Sequence, residues 1–288
     1  MFPHLSIAVV SWEMSRELPR TLYSLSRDFQ LNSGHISWEI IVVDNGSIHQ
    51  PNIPKIEPVP KFIQLTNPSP SPVLAMNTAI SAARSSLIGA WIDGARLASA
   101  NLVSSVYQAQ TFHPSPVIAV PNRQFGSMRQ SSAAEHGYCQ ELEDKLLFSS
   151  GWPSPHADLD AISWSEEPTI SSPMLETNAL FLRKQTWEKL GGYDPQFSEA
   201  GGGMCNPDVF QRAINLQETQ LIRISNCATY HQYHDGTTTQ NPTKTLKAVK
   251  DATRNYFKIR GQMPRKQKQI GWLYDAKKNC LVTSESAS

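Results

Sequence analysis

Apolar positions along the chain follow two spacings that alternate. Short continuous runs at Leu5–Val10 (LSIAVV), Glu39–Val43 (EIIVV), Lys61–Leu65 and Leu87–Ile92 (LIGAWI) are rich in β-branched residues and too short to be helices. They read as strands, Lys61–Leu65 a short one and the continuous apolar runs buried on both faces. Between them, Leu18, Leu22, Leu25 and Phe29 recur every three or four residues, which predicts an amphipathic helix starting near Pro19. Residues 73–88 are rich in Ala and Ser at helical spacing, and the rigid polar loop Asn67–Pro72 precedes them. Strands alternating with helices predict an α/β domain with a mostly parallel central sheet over about residues 1–125.

The second half is less regular. Residues 126–175, with Gly126, Gly137, Gly151 and several prolines, read as a variable insert holding a short helix at 139–148. Residues 176–191 (ETNALFLRKQTWEKLG) read as a strand running into a helix that stops at Gly191-Gly192. A Gly-rich loop at 198–207 leads into a helix from Asp208 to Leu216, and Ile222–Ile224 and Ala228–Tyr230 suggest late strands. The tail from Pro242 reads as helical, then irregular. One domain over 1–243 with an extension at 244–288 is the simplest organisation.

Composition narrows the class. Of 288 residues, 40% are apolar and 18% charged, which excludes a wholly disordered chain. No apolar run approaches the roughly 20 residues of a spanning helix, and Met1–Leu5 has no signal-peptide pattern. Cys139, Cys205, Cys227 and Cys280 lie far apart, as expected of reduced thiols in a cytoplasmic protein. The net charge of +1 hides an asymmetry: residues 244–278 hold eight Lys and three Arg against Asp251 and Asp275, a net +9. This segment reads either as a solvated basic helix or as a surface for anionic lipid headgroups or a phosphate-rich partner, peripheral to the inner face of a membrane. No nucleic-acid partner is expected.

Ligands of parallel α/β sheets sit at the carboxyl ends of the strands. The residues there are Ser11-Trp12-Glu13, Asp44-Asn45-Gly46-Ser47 and Asp93-Gly94-Ala95-Arg96. Two strand-end aspartates can converge on one crevice, although Asn45-Gly46 is also a turn signal. Neither GxGxxG nor GxxxxGK[ST] occurs. The missing basic Gly loop after the first strand argues against a nucleotidyltransferase.

Ile41-Val42-Val43-Asp44-Asn45-Gly46-Ser47, Trp91-Ile92-Asp93-Gly94-Ala95 and Leu190-Gly191-Gly192-Tyr193-Asp194-Pro195-Gln196-Phe197 together resemble family 2 glycosyltransferases of the GT-A fold. The resemblance covers about residues 5–235. It divides the domain into a nucleotide-sugar-binding half (1–125) and an acceptor or catalytic half (176–240). It implies sugar transfer from a nucleotide-sugar donor to the hydroxyl of a glycan, lipid-linked or protein acceptor, usually with inversion. By resemblance, Ser11, Glu13, Asp44, Asn45, Asn77, Asp93 and Arg96 contact the donor, and Asp93 and His234 hold a divalent cation, Mn²⁺ or Mg²⁺. Asn178 and Asn206 would face the acceptor, and Asp208 would be the general base, with Glu199 in reserve.

The sequence departs from the family at two carboxylate positions. The DxD motif reads Asp93-Gly94-Ala95, and Asn206 stands where the acceptor motif has its first Asp. Arg96 offers a fixed cation for a diphosphate, or a surface ion pair. His231-Gln232-Tyr233-His234 is weak evidence of a ligand pair without the family context; His231 reads equally as structural. Trp12, Trp91 and Trp187 are expected in the core or pocket wall, and Trp152 and Trp164 either in the core or as sugar platforms. A catalytically degenerate nucleotide-sugar or glycan binder remains the alternative.

Overall fold

The computed structural model describes residues 2–165, 167, 169, 172–234, 242–268 and 271–282. In chain order its strands are β1 (Leu5–Ser11), β2 (Trp38–Asp44), β3 (Lys61–Gln64), β4 (Leu87–Trp91), β5 (Arg96–Ala98), β6 (Pro116–Ala119), β7 (Asn122–Phe125), β8 (Ser163–Trp164), β9 (Ala179–Arg183), β10 (Gln220–Ser225), β11 (Thr229–His231), β12 (Trp272–Asp275) and β13 (Cys280–Val282). The α-helices are α1 (Glu17–Ser24), α2 (Val73–Ser81), α3 (Leu102–Ala109), α4 (Gln130–Glu135), α5 (Gln140–Ser149), α6 (Lys184–Leu190), α7 (Cys205–Ile214) and α8 (Pro242–Arg260).

The central sheet runs β13-β12-β10-β6-β9-β4-β1-β2-β3. Its pairs are parallel except where β9 lies antiparallel between β4 and β6, and where β13 folds back on β12. Side chains alternate across a strand, so each strand feeds two cores. Leu5, Ile7 and Val9 of β1 pack with Leu18 and Leu22 of α1 and Val103 and Val106 of α3. Ala8 and Val10 pack on the opposite face with Val73 and Met76 of α2 and Phe210 of α7. All seven residues of β1 and of β2 are buried, as continuous apolar runs demand.

A smaller sheet, β5-β11-β7-β8, crosses the carboxyl edge. Its register puts His231 opposite Arg96 on one side and Gln124 on the other. The dipeptide Gly191-Gly192 ends α6 with both residues at positive φ (68° and 70°). A Cβ on Gly192 would lie 2.5 Å from Asn77 Oδ1, so only glycine lets the Asn77 amide close on the next turn.

Three expectations change here. The helix predicted over 73–88 stops at Ser81, because Ser85 is buried in a turn that donates to the His4 carbonyl, 2.8 Å away. The helix expected from Asp208 begins at Cys205. Residues 244–288, expected as an extension, contribute α8 and strand β12, which pairs in parallel with β10 and buries Tyr274 in the core. The apolar run Trp272-Leu273-Tyr274 is only three residues long, between Gly271 and Asp275, which hid it. Among the described residues, no helix is long and apolar enough to cross a membrane.

Candidate active site

The carboxyl ends of β1, β2 and β4 form one edge, and their loops are tied together. Asp44, fully buried, accepts from the Ser47 hydroxyl (2.5 Å) and from the Ser47 and Gly46 amides (2.8 and 3.1 Å). The Ser47 hydroxyl oxygen in turn accepts from the Glu13 amide at 2.8 Å. Asp44, expected to contact the donor, thus also shapes its own turn. Asn45 exchanges two hydrogen bonds with the Ser69 backbone (2.6 and 3.3 Å), pinning the Pro-rich loop. The Glu13 carboxylate bonds the Ile48 amide and His49 Nδ1, which hold its pKa below the usual carboxylate range. The Ser11 hydroxyl is fully buried with no partner among the described residues. Next to it Trp12, expected in the core or pocket wall, is 57% exposed.

Asp93 lies two residues beyond β4. Its Oδ1 accepts from the Ala95 amide at 2.9 Å, which fixes the turn. Its Oδ2 is 3.0 Å from His231 Nε2, 3.7 Å from His234 Nε2 and 3.4 Å from Arg96 Nη2. The ligating atoms of Asp93, His231 and His234 lie within 4.8 Å of one another, a spacing that a single cation can bridge. Burial pushes the Asp93 carboxyl up, but His234 and Arg96 beside it outweigh that and hold the pKa well below the usual range.

His231 has a defined tautomer. Gln130, fully buried at the start of α4, donates from Nε2 to the His231 carbonyl at 3.0 Å. Its Oε1 therefore faces His231 Nδ1 at 2.6 Å as an acceptor. Nδ1 carries the proton, and Nε2 turns a lone pair toward the Asp93 carboxylate. Burial and the nearby Arg96 lower the His231 pKa to about 4, so the ring is neutral. Burial pulls His234 down as well, but Asp93 outweighs it and raises the pKa. A neutral imidazole and a carboxylate facing each other through lone pairs fit a cation, supplied by a metal or by protonated His234. The donor set, with an imidazole oriented by a buried amide, has the composition of a metal site.

Arg96 is buried. Its Nη1 donates to Asn122 Oδ1 at 2.5 Å, and it stands in the fields of both Asp93 and Glu176. Burial lowers its pKa despite both carboxylates. It links the metal-like cluster to the second half of the site, where Asn206 stands at the N-terminus of α7. Asn206 Nδ2 donates to Glu176 Oε2 at 2.8 Å and to the Thr177 carbonyl at 2.9 Å, with Asn178 Oδ1 at 3.4 Å. Asn206 Oδ1 accepts from the Tyr193 hydroxyl at 3.1 Å.

Asp208 is 1% exposed and enclosed by arginines. Arg212 Nε is 2.8 Å from its Oδ2, and Arg260 Nε is 2.5 Å from its Oδ1. Arg260 also reaches Asp194 at 2.6 Å. Both carboxylate oxygens of Asp208, the base expected from the sequence, are thus engaged by arginines. Asn77, another expected donor contact, bonds both backbone groups of Tyr193 (2.8 and 2.9 Å) and holds that turn. Glu199 accepts from Asn255 Nδ2 at 2.8 Å. Asp235 and Gly236 of the His-rich segment lie outside the described residues. Sequence reasoning missed Gln130, which looks like any polar residue of an irregular insert, and Glu176, which no motif marks.

No family model matches the chain, and no curated protein matches it. Solved structures do. S. aureus TarS 1–349 superposes with a TM-score of 0.52 at 14% identity over 89% of this chain and 66% of that one. Its complex with UDP gives 0.52 at 15% identity, and its complex with UDP-GlcNAc 0.52 at 14%. The chain thus spans about 66% of the length of the first of these structures. At this identity the likeness shows the fold. It is a GT-A type α/β fold, with a large, mostly parallel sheet flanked by helices.

Proposed function

We propose that the chain is a glycosyltransferase of family 2 type that takes a nucleotide-sugar donor, of the uridine diphosphate class, and passes the sugar to an acceptor hydroxyl by single displacement with inversion. The observation that carries this reading is the Asp93–His231–His234 cluster at the carboxyl edge of a GT-A sheet, with Arg96 beside it. The UDP and UDP-GlcNAc complexes of the TarS neighbours support the donor class.

Asp93, His231 and His234 would hold a divalent cation, and two imidazoles with one carboxylate suit Mn²⁺ better than Mg²⁺. Such an ion supplies positive charge to a departing diphosphate. Arg96 adds a fixed cation in a dry setting, where charge counts for more. The exposed Trp12 ring meets the nucleoside, while Asp44, Asn45 and Glu13 hold the loops beneath it. Glu176 takes the acceptor proton, because Asn206, which has no basic carboxylate, holds Oε2 in place. Residues 1–125 supply donor contacts, and 176–240 supply the acceptor side. A cytoplasmic location accords with four unpaired cysteines.

A second reading, a donor-binding protein without turnover, is favoured by Ala95 and Asn206 at two carboxylate positions of the family pattern. A thermal-shift panel of UDP-, GDP-, CMP- and dTDP-sugars with and without Mn²⁺, followed by assay of free nucleoside diphosphate, separates the readings. A donor at 100 times its Kd adds about 2.7 kcal/mol of stability. A Mn²⁺-dependent shift with UDP-sugars and release of UDP is expected. A shift without release supports the second reading, and no shift with any donor overturns both.

A further inference from the structure

Helix α8 carries three stripes, each one residue from the next. Ala248, Ala252, Tyr256 and Ile259 face inward; Ala252 and Tyr256 are buried. Leu246, Val249, Thr253 and Phe257 form a second stripe. Leu246 is 56% exposed, Val249 40% and Phe257 51%, an unusual amount of apolar surface to leave in water on one helix. Lys247, Lys250, Arg254 and Lys258 form the third, and all four are exposed. Asp251 is the helix's one acid, and Arg265, Lys266 and Lys268 extend the exposed charge beyond it.

We infer that this outer face of α8 docks on a bilayer bearing anionic headgroups. An apolar stripe flanked by cations one residue away is the arrangement of a helix lying in the membrane interface, with side chains such as Phe257 entering the acyl boundary and lysines meeting phosphates. The charge is complementary to that surface, and the net +9 of residues 244–278 sits on a body, 1–243, of net −7. A soluble polyanion would satisfy the cations but leave the Leu246–Phe257 stripe in water.

The inward stripe of the same helix braces the acceptor side. Arg260 holds Asp208 and Asp194, Asn255 holds Glu199, and Tyr256 packs on Phe197 at a centroid distance of 6.0 Å.

The test is flotation of the full chain with vesicles of phosphatidylcholine alone, or with 30 mol% phosphatidylglycerol. Binding only to the anionic vesicles, weakened at least tenfold by 0.5 M salt, is expected. K247E/K250E should abolish it, and L246S/F257S should weaken it at least fivefold. D251K, which removes no packing, should strengthen it. No binding of the wild type, or equal binding by the wild type and all three variants, overturns the inference. So does L246S/F257S binding as wild type, because the apolar stripe would then be idle. The UDP-sugar thermal shift, read without vesicles, reports separately on the donor site.

Discussion

His231 Nε2 and Asp93 Oδ2 face each other across 3.0 Å with no proton between them that either side chain supplies. The Gln130 amide enforces this by claiming Nδ1–H. The pair is held ready for a cation, and protonated His234 is the only other imidazole in reach among the described residues.

Metal addition should therefore raise thermal stability. Saturating Mn²⁺ is expected to lift Tm by about 5 °C, Mg²⁺ by clearly less, and EDTA should reverse both. Asp93→Asn and His234→Ala should each remove the response, as scanning calorimetry would show. Equal shifts in wild type and both variants would place the ion elsewhere.

Glu176 and Asp208 should separate by experiment. Glu176→Gln keeps the hydrogen bond from Asn206 but loses the base, so kcat should fall about 10²- to 10⁴-fold with donor affinity unchanged. Asp208→Asn leaves Arg212 and Arg260 without their carboxylate and should cost about 3 kcal/mol in denaturant unfolding. If Asp208→Asn instead folds like wild type and loses turnover, Asp208 is the base.

Trp12 is exposed beside the orphaned Ser11 hydroxyl. A ring stacked on a base contributes about 1–3 kcal/mol, so Trp12→Ala should raise the Kd for UDP roughly tenfold in calorimetric titration. Stability should be unchanged, because the ring packs little. An unchanged Kd would remove Trp12 from the donor site.

Glu143, fully buried on α5, accepts from the Tyr233 amide at 2.6 Å and faces Arg16 and Arg20. Burial raises its pKa to about 7 against those partners. The folded state thus holds a proton that the unfolded chain releases near pH 4.5. Its stabilising contribution is complete below that pH and is lost as pH rises to about 7. Glu143→Gln should flatten this stretch of the stability–pH curve in urea titrations. A wild-type curve with the same slope as the variant would contradict the assignment.

The strands of the first half were legible because β1, β2 and β4 are buried on both faces, which forces unbroken apolar runs. Asp93 and His234 were legible through motif context. The partners that orient them were not. Gln130 comes from an insert 101 residues before His231, and only the folded register of β11 brings the two together. Asp44 and Asp208 show the converse. Each sits at a motif position, yet each is engaged by neighbours that spacing alone does not reveal: a turn hydroxyl for Asp44, and an arginine 52 residues away for Asp208. The tail strand β12 escaped notice because one short apolar triplet carries no period.

Strand β9 is hydrogen-bonded to β4 on one side and β6 on the other, and it arrives late in the chain. Until residue 183 has been synthesised, β4 and β6 each present a bare row of amides and carbonyls to solvent. During synthesis the nascent chain thus carries two sticky apolar edges at once, of the kind that pair with neighbouring chains. That five-residue segment covers both of these edges, and β10 later covers the other side of β6. The point of greatest exposure for a chain on the ribosome therefore lies just before that segment emerges, and a truncation ending there would aggregate rather than fold.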